Sequence, residues 1–499
     1  MADNKPHILV FPFPVQGHIN PALDFSKCLA SNGLKVTIIL TTMVSKSAQV
    51  PSNSSINVEM ISDGSEEVKE QESIEGFFKR FRAAASQNLA KFIQEQRETC
   101  PAKVLVYDST MPWALDVAHQ EGLLGASFFT QAIGVCAVYY HMYTGLIKFP
   151  YEDSEVLLPS MTPLGVNDLP CFSFSPDSNN SVLRHLADQF LNLEEADWIF
   201  VNTFDKLEYE VLNWMTSRWP FKTVGPTFSL TYPGKELTNK RTHKFNLFEP
   251  NYEESMKWLD SREIGSVVYV SFGSLVSLKE EQMEELAHGL MMSNCYFLWV
   301  VRASEENKLP QNFTSMASEK GLVLNWCPQT DVLDHRAVAC FMTHCGWNST
   351  LEALSSGMPL IAMPQWVDQP TNSKLIEDEF KVGLRVKADE NGLVRREEIE
   401  MCIKQVIQGE KGKKLKESAG KWKELAKEAA DKGGSSATNV EDFLKFPPSE
   451  FTSNHLTLAS FVTTLGRLPS REYASPNPDS HYSYSFLHHH HHVDDQHGS

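Results

Sequence analysis

The sequence predicts an α/β protein made of two similar halves, each built on a parallel sheet. Three observations carry this. Short runs dense in Val, Ile and Leu alternate with stretches of helical spacing, and strands buried on both faces read as continuous apolar runs. A second series of the same kind begins beyond residue 250, after a stretch with no periodicity. The length of 499 residues suits about two to four domains at roughly 150 residues each.

Residues 7–11 (His-Ile-Leu-Val-Phe) form the first buried-strand run, and Asn20-Pro21 fits a helix N-cap with proline in the first helical position. Helical spacing follows over 22–29, and residues 35–40 make the next strand. Residues 103–107 and 198–201 repeat the pattern. The rhythm stops near 224–227. Residues 1–227 are therefore assigned to a first domain, and 228–250, rich in Pro, Thr, Lys and Asn, to a linker. Strands at 266–271, 296–301, 322–324, 339–343 and 360–363 mark a second domain over 251–445. Two such halves leave a cleft between them, a favoured place for a ligand. The lysine-rich stretch 415–430 reads as a helix with a solvated face. Residues 446–499 contain no lysine and end near five consecutive histidines, His488 to His492. They read as a disordered tail whose histidines are a tag remnant.

Composition excludes several functions. Forty-five basic against 63 acidic residues give a net charge of −18, the wrong sign for a nucleic-acid partner. The nine cysteines include no C-x-x-C pair, so zinc ribbons and thioredoxin-like chemistry lack support. The N-terminus does not read as a signal peptide. The longest apolar stretch, 126–147, is broken by Gln131, Tyr139, Tyr140 and His141, short of the roughly 20 residues that a membrane span needs. A soluble, cytoplasmic, monomeric protein without membrane anchoring is expected. No glycine-rich dinucleotide fingerprint, P-loop, H-E-x-x-H or G-x-S-x-G motif appears.

The informative stretch is 326–369, WCPQTDVLDHRAVACFMTHCGWNSTLEALSSGMPLIAMPQWVDQ. Phe341-Met342-Thr343 ends a strand, His344 to Trp347 make a tight turn, and Asn348-Ser349 open a helix. The free N–H groups and dipole of a helix start suit a phosphate, and His344, Asn348 and Ser349 would add donors. Trp326 offers a flat face to a base, while Asp368 and Gln369 could hold sugar hydroxyls. Each residue alone has a plainer explanation. Ser349-x-x-Glu352 fits a capping box, and the tryptophans and His344 would ordinarily be packing or structural residues. Nothing in these residues fixes which nucleotide would bind.

This stretch resembles the signature of the plant UDP-dependent glycosyltransferases, with W-x-P-Q, H-C-G-W-N-S, the following Glu and the closing D-Q in register. The likeness runs over roughly residues 5–445 through F-P-x-x-G-H-I-N-P, V-S-F-G-S and D-Q-P-T-N. Residues 113–118 and Pro364-Gln365-Trp366 resemble the subgroup that glucosylates small carboxylic acids, thiohydroximates, phenols or steroids. The resemblance implies the GT-B fold, two facing Rossmann-like domains, with the last helix of 251–445 packing back on the first domain. It also implies an inverting transfer from UDP-glucose to a small hydrophobic acceptor, giving a β-glucoside with no metal and no other cofactor.

It further implies roles. Trp326 would stack on uracil, the Cys327 backbone would bond the base edge, and Gln329 would lie near the ribose that Glu352 holds. Ser274, His344, Asn348 and Ser349 would bind the diphosphate, and Thr130, Trp347, Asp368 and Gln369 the sugar. Glutamine at 369 resembles glucose users, since galactose users tend to carry histidine there. His18 would be the general base and Asp108 its orienting partner. Val15, Met111, Phe128, Tyr139 and Met142 are candidates for the acceptor pocket. Rival readings are a non-catalytic binder of a hydrophobic metabolite and a nicotinamide-dependent reductase. The retained His18–Asp108 pair opposes the first, and the missing glycine fingerprint the second.

Overall fold

The computed structural model describes residues 5–45, 55–68, 72–172, 176–230 and 252–445. The first domain holds β1 (His7–Phe11), β2 (Lys35–Thr41), β3 (Asn57–Ile61), β4 (Ala102–Asp108) and β5 (Leu124–Phe129). A small antiparallel pair, β6 (Glu155–Val156) and β7 (Leu164–Gly165), comes next and lies outside the sheet. β8 (Trp198–Val201) and β9 (Phe221–Thr223) then complete a seven-stranded sheet ordered β3-β2-β1-β4-β5-β8-β9. Every neighbouring pair is parallel; Leu9, for instance, pairs with Thr37 on one side and Leu105 on the other.

The second domain repeats the plan. Its strands are β10 (Val267–Ser271), β11 (Tyr296–Val300), β12 (Gly321–Leu324), β13 (Val338–Thr343), β14 (Leu360–Ala362) and β15 (Gly383–Arg385). They form a six-stranded parallel sheet ordered β12-β11-β10-β13-β14-β15. In both sheets the order reverses beside the first strand, between β1 and β4 and between β10 and β13. Open α/β sheets bind ligands beyond the carboxyl ends of the strands at that switch point.

Successive strand residues point to opposite faces, and here both faces are covered. Ile8 and Val10 of β1 pack with Phe25 and Leu29 on one side, while Leu9 and Phe11 pack with Phe81 and Leu115 on the other. β5 has a glycine near its start for a packing reason: a Cβ on Gly125 would lie 2.1 Å from a methyl of Leu115. The predicted strands of the second half lie within one residue of those observed. β3, β5, β6, β7, β9 and β15 are not among the strands expected from sequence. β3 is a mostly exposed edge strand with Asn and Glu, and β15 has only three residues.

The first helix also differs from expectation. It spans Gln16–Ser31, with Val15 as N-cap and Pro21 inside it, so Asn20 is not the cap. An interior proline leaves the carbonyl four residues earlier without its helical donor. That carbonyl belongs to Gly17, and Asn348 Nδ2 of the other domain takes it at 2.8 Å.

The helix Ser435–Leu444 packs against the first domain. Ser436 Oγ donates to Gly225 O at 2.6 Å, Asn439 Nδ2 to Thr223 O at 2.9 Å, and Phe443 meets Trp198 and Phe200 edge-on. Of the linker only 228–230 are described, the end of a short turn at Thr227–Ser229. The tail 446–499 lies outside the described residues. All nine cysteines are free thiols, and no helix among the described residues is long and apolar enough to cross a membrane.

Candidate functional site

The first-domain half of the site stands at its switch point. The chain leaves β1 through Phe13-Pro14 and turns into the Gln16–Ser31 helix, which places His18 in the first turn. Asp108 is the last residue of β4. The two meet across 90 positions of sequence, with Nδ1 of His18 2.7 Å from Oδ2 of Asp108. The second carboxylate oxygen accepts from the Thr110 N–H at 3.0 Å and the Thr110 hydroxyl at 2.7 Å. Burial would raise the Asp108 carboxyl, but His18 and Thr110 bring it below the ordinary carboxylate value. In the neutral ring, ionised Asp108 favours the proton on Nδ1, which leaves Nε2 as the bare nitrogen. Burial would lower the His18 imidazole; Asp108, by charge and hydrogen bond, and Asp368, by charge, carry it above the usual histidine value.

Around this pair the structure sets groups that sequence reasoning missed, together with one that it named. Thr130, the named one, lies with Oγ1 3.2 Å from the same Nδ1. Phe13 meets the His18 ring edge-on at 5.6 Å and also touches His185, whose ring stacks on Phe78 at 3.9 Å. Burial pushes His185 down to about 4, so this second imidazole is neutral. Phe13 could have been found from its place directly after β1, but His185 carries no local signal.

Two acceptor-pocket candidates fall elsewhere. Met111 is wholly buried with Phe11 and Trp113, and Phe128 stacks on Phe25 in the core at 5.4 Å. Strand alternation puts Phe128 on the sheet face that Phe25 covers. Val15 is half-buried at the helix start, Met142 is half-buried, and Tyr139 is buried with a hydroxyl that finds no partner among the described residues.

The second-domain half is built where β10 and β13 end. The helix there spans Trp347–Ser356 and its N-cap is Gly346. Ser349 is thus the third helical residue, and the capping-box reading of Ser349 and Glu352 does not hold. Instead Gln329 Nε2 donates to Ser349 Oγ at 3.0 Å and to Glu352 Oε2 at 2.7 Å, while the Tyr269 hydroxyl donates to Gln329 Oε1 at 3.1 Å. Trp326 is half-buried just past β12, and Cys327 is buried with its thiol against the Tyr269 hydroxyl.

His344 lies between two glycines. A Cβ on Gly273 would come within 2.7 Å of its Nε2, and one on Gly346 within 2.5 Å. Burial, with the nearby Arg302 charge behind it, pushes His344 down to about 4, so it is a neutral ring. Arg302 was not singled out from sequence. Its guanidinium donates to the carbonyls of Ser274 and Val276, fixing that loop and bringing a positive charge to a helix start already suited to anions.

Of the remaining candidates, Trp347 and Asn348 tie the halves together. The buried Trp347 indole donates to Asn202 O of the first domain at 2.7 Å, and Asn348 holds the Gly17 carbonyl. Asp368 accepts from Asn372 Nδ2 at 2.9 Å. Its carboxyl is pushed up by burial and pulled down by Asn372 and by His18 across the cleft. Gln369 Oε1 accepts from the N–H groups of Gln365 and Trp366 at 3.0 and 3.1 Å. No group of three or more His, Cys, Asp or Glu side chains suited to a metal ion occurs among the described residues.

Two Rossmann-like sheets whose switch points meet across a cleft define a GT-B glycosyltransferase. Residues 7–420 match the family described as UDP-glucoronosyl and UDP-glucosyl transferase, and the chain belongs to it. UDP glycosyltransferase 9 of Catharanthus roseus is 54% identical over 455 residues, 88% of this chain and 96% of the relative. Mogroside I-E synthase of Siraitia grosvenorii is 47% identical over 448 residues, 89% of this chain and 99% of its own. The crystal structure of Os79 from O. sativa in complex with UDP superposes with a TM-score of 0.79 at 35% identity, covering 88% of this chain and 99% of that one. The protein is an enzyme of the plant UDP-glycosyltransferase group.

Proposed function

We propose that the enzyme transfers glucose from UDP-glucose to a hydroxyl of a small hydrophobic acceptor, with inversion, using His18 as general base. The observation that carries this is the 2.7 Å pair of His18 and Asp108 at one switch point, facing the donor half of the site at the other. His18 Nε2 removes the acceptor proton as the acceptor oxygen attacks the anomeric carbon in line. The bond to the UDP oxygen breaks, and the α-linked donor gives a β-glucoside. Asp108 stabilises the imidazolium that forms, as the triad logic requires. The departing diphosphate is met by the N-terminal N–H groups of the Trp347–Ser356 helix, by Ser349 and the neutral His344, and by the Arg302 charge, so that electrostatics fixed in advance carries the leaving group without a metal.

Trp326 is read as the uracil platform, with the Cys327 backbone on the base edge and Glu352 on the ribose hydroxyls. Asp368, Gln369 and Thr130 are read as the sugar contacts. The charges acting on His18 are those of Asp108 and Asp368, both carboxylates, which favours a neutral hydroxyl acceptor over a carboxylate one. A monomer acting in the cytoplasm completes the reading.

Two outcomes test the roles. A base works neutral, so kcat/KM is expected to rise with pH through a pKa above histidine's usual value of about 6.5. Asp108→Asn removes the charge that holds the imidazole proton and is expected to move that rise to lower pH; a pH profile of the variant checks this. Glu352→Ala is expected to raise the KM for UDP-glucose about tenfold or more, the range for losing hydrogen bonds to a charged group, with kcat little changed. Calorimetric titration with UDP should show the same loss. The reading as a whole is tested by mass spectrometry with UDP-glucose and a panel of phenols, steroids and carboxylic acids. A product heavier by one hexose is expected from the hydroxyl compounds, and products from the acids alone would overturn the acceptor class.

A further inference from the structure

The loop that carries Asp368 and Gln369 takes part of its shape from the opposite domain. Val367 has φ +55°, a conformation in which a β-branched residue is an outlier and which persists only where the surroundings over-determine it. Here they do. The Val367 N–H donates to Cys171 O of the first domain at 2.6 Å, an isolated bridge between the domains. Next to it Trp366 stacks on Phe172, with centroids 5.2 Å apart and planes 16° from parallel.

The same first-domain segment grips the second domain beyond the loop. Thr371 Oγ1 donates to Asp168 O at 2.6 Å. Arg385, at the end of β15, forks onto the Asp168 carboxylate and Asn167 O, and Lys374 stands 3.8 Å from the other carboxylate oxygen. Asp168 and Arg385 are mostly buried, so water screens this pair less than an exposed one. Within the loop Gln369 Oε1 ties the chain back to Gln365 and Trp366. A displacement of Val367 therefore moves Gln369.

We propose that residues 165–172 of the first domain are a specificity-determining support of the sugar loop, holding Asp368 and Gln369 in the register that selects glucose. Asp168 is then a positioning residue: it touches Arg385, Lys374 and the loop's flank, and acts on the sugar only through them. The donor-sugar site is complete only while the two domains are clasped. This rests on the reading of Asp368 and Gln369 as sugar contacts.

The test uses the full chain with Asp168→Asn, Phe172→Ala and the charge-conserving Asp168→Glu, measuring UDP affinity by calorimetry and initial rates with UDP-glucose and UDP-galactose. UDP lacks the sugar, so it reports the nucleotide site and certifies that each variant folds. UDP affinity is expected to be unchanged. In Asp168→Asn and Phe172→Ala, kcat/KM for UDP-glucose is expected to fall about 10–100-fold, the scale for a small misplacement of a substrate-positioning group. UDP-galactose should lose less, so the preference narrows, and Asp168→Glu should recover part of it. Equal losses for UDP and both sugars would overturn the proposal by making the clasp a general domain contact, and an unchanged sugar preference would overturn it as well. Gln369→Ala separates the two levels. If it abolishes the preference and the clasp variants do not, the clasp alone is wrong; if it leaves the preference intact, the reading of the loop fails and the clasp proposal fails with it.

Discussion

Replacing His18 with alanine is expected to lower glucosyl transfer to a phenol or alcohol by about 10²–10⁴-fold, the usual worth of a positioned general base. The loss should appear in kcat, because His18 stands at the end of the first-domain sheet and the residues read as nucleotide contacts lie in the other domain. UDP affinity measured by calorimetry should stay near the wild-type value. The size follows from the chemistry of the acceptor. A neutral hydroxyl must shed its proton as it attacks, and in the proposed mechanism Nε2, left free by the Nδ1 bond to Asp108, takes it. A small loss on a neutral acceptor would mean that another group takes the proton, and His185, the second neutral imidazole, would be the next to test.

The second large effect is expected at Gly273. Its φ of +72° is a left-handed conformation, and an added Cβ would lie 2.7 Å from Nε2 and 2.8 Å from Cε1 of His344. Gly273→Ala therefore combines backbone strain of about 1–3 kcal/mol with displacement of the ring read as a diphosphate donor. A lost hydrogen bond to a charged group is worth about 1.5–3 kcal/mol, so kcat/KM for UDP-glucose should fall roughly 10–100-fold. Gly33→Ala is the control. Its φ is +93°, but open space surrounds its Cβ position, so it should lower the melting temperature and leave donor kinetics unchanged. If the two variants lose activity alike, strain alone explains Gly273 and the role of His344 is lost.

How much of this was legible depended on where each signal resides. β1, β2, β4 and β10 stood out because strands covered on both faces must be apolar throughout, and the residues of β1 do alternate between two cores. β3 escaped because it is a mostly exposed edge strand with little to bury. The start of the first helix was misplaced because the Asn20-Pro21 pattern is local, whereas the Gly17 carbonyl that Pro21 leaves free is satisfied by Asn348, far away in sequence. The segment 326–369, read as the donor site, was readable because its residues are contiguous. His18 and Asp108 are not, and only the family resemblance paired them. Arg302, His185 and the Asp168 clasp gave no signal, since each acts through contacts between residues far apart in the chain.

The most direct test of base catalysis is the ratio of wild-type to His18→Ala rates with UDP-glucose across phenols of decreasing pKa at fixed pH. Phenols still protonated at the working pH should show the full penalty. The penalty should shrink steadily as the acceptor becomes ionised in solution and no longer needs a base. A ratio that stays the same from the least to the most acidic phenol would contradict the account, because His18 would then be acting on something other than the acceptor's proton.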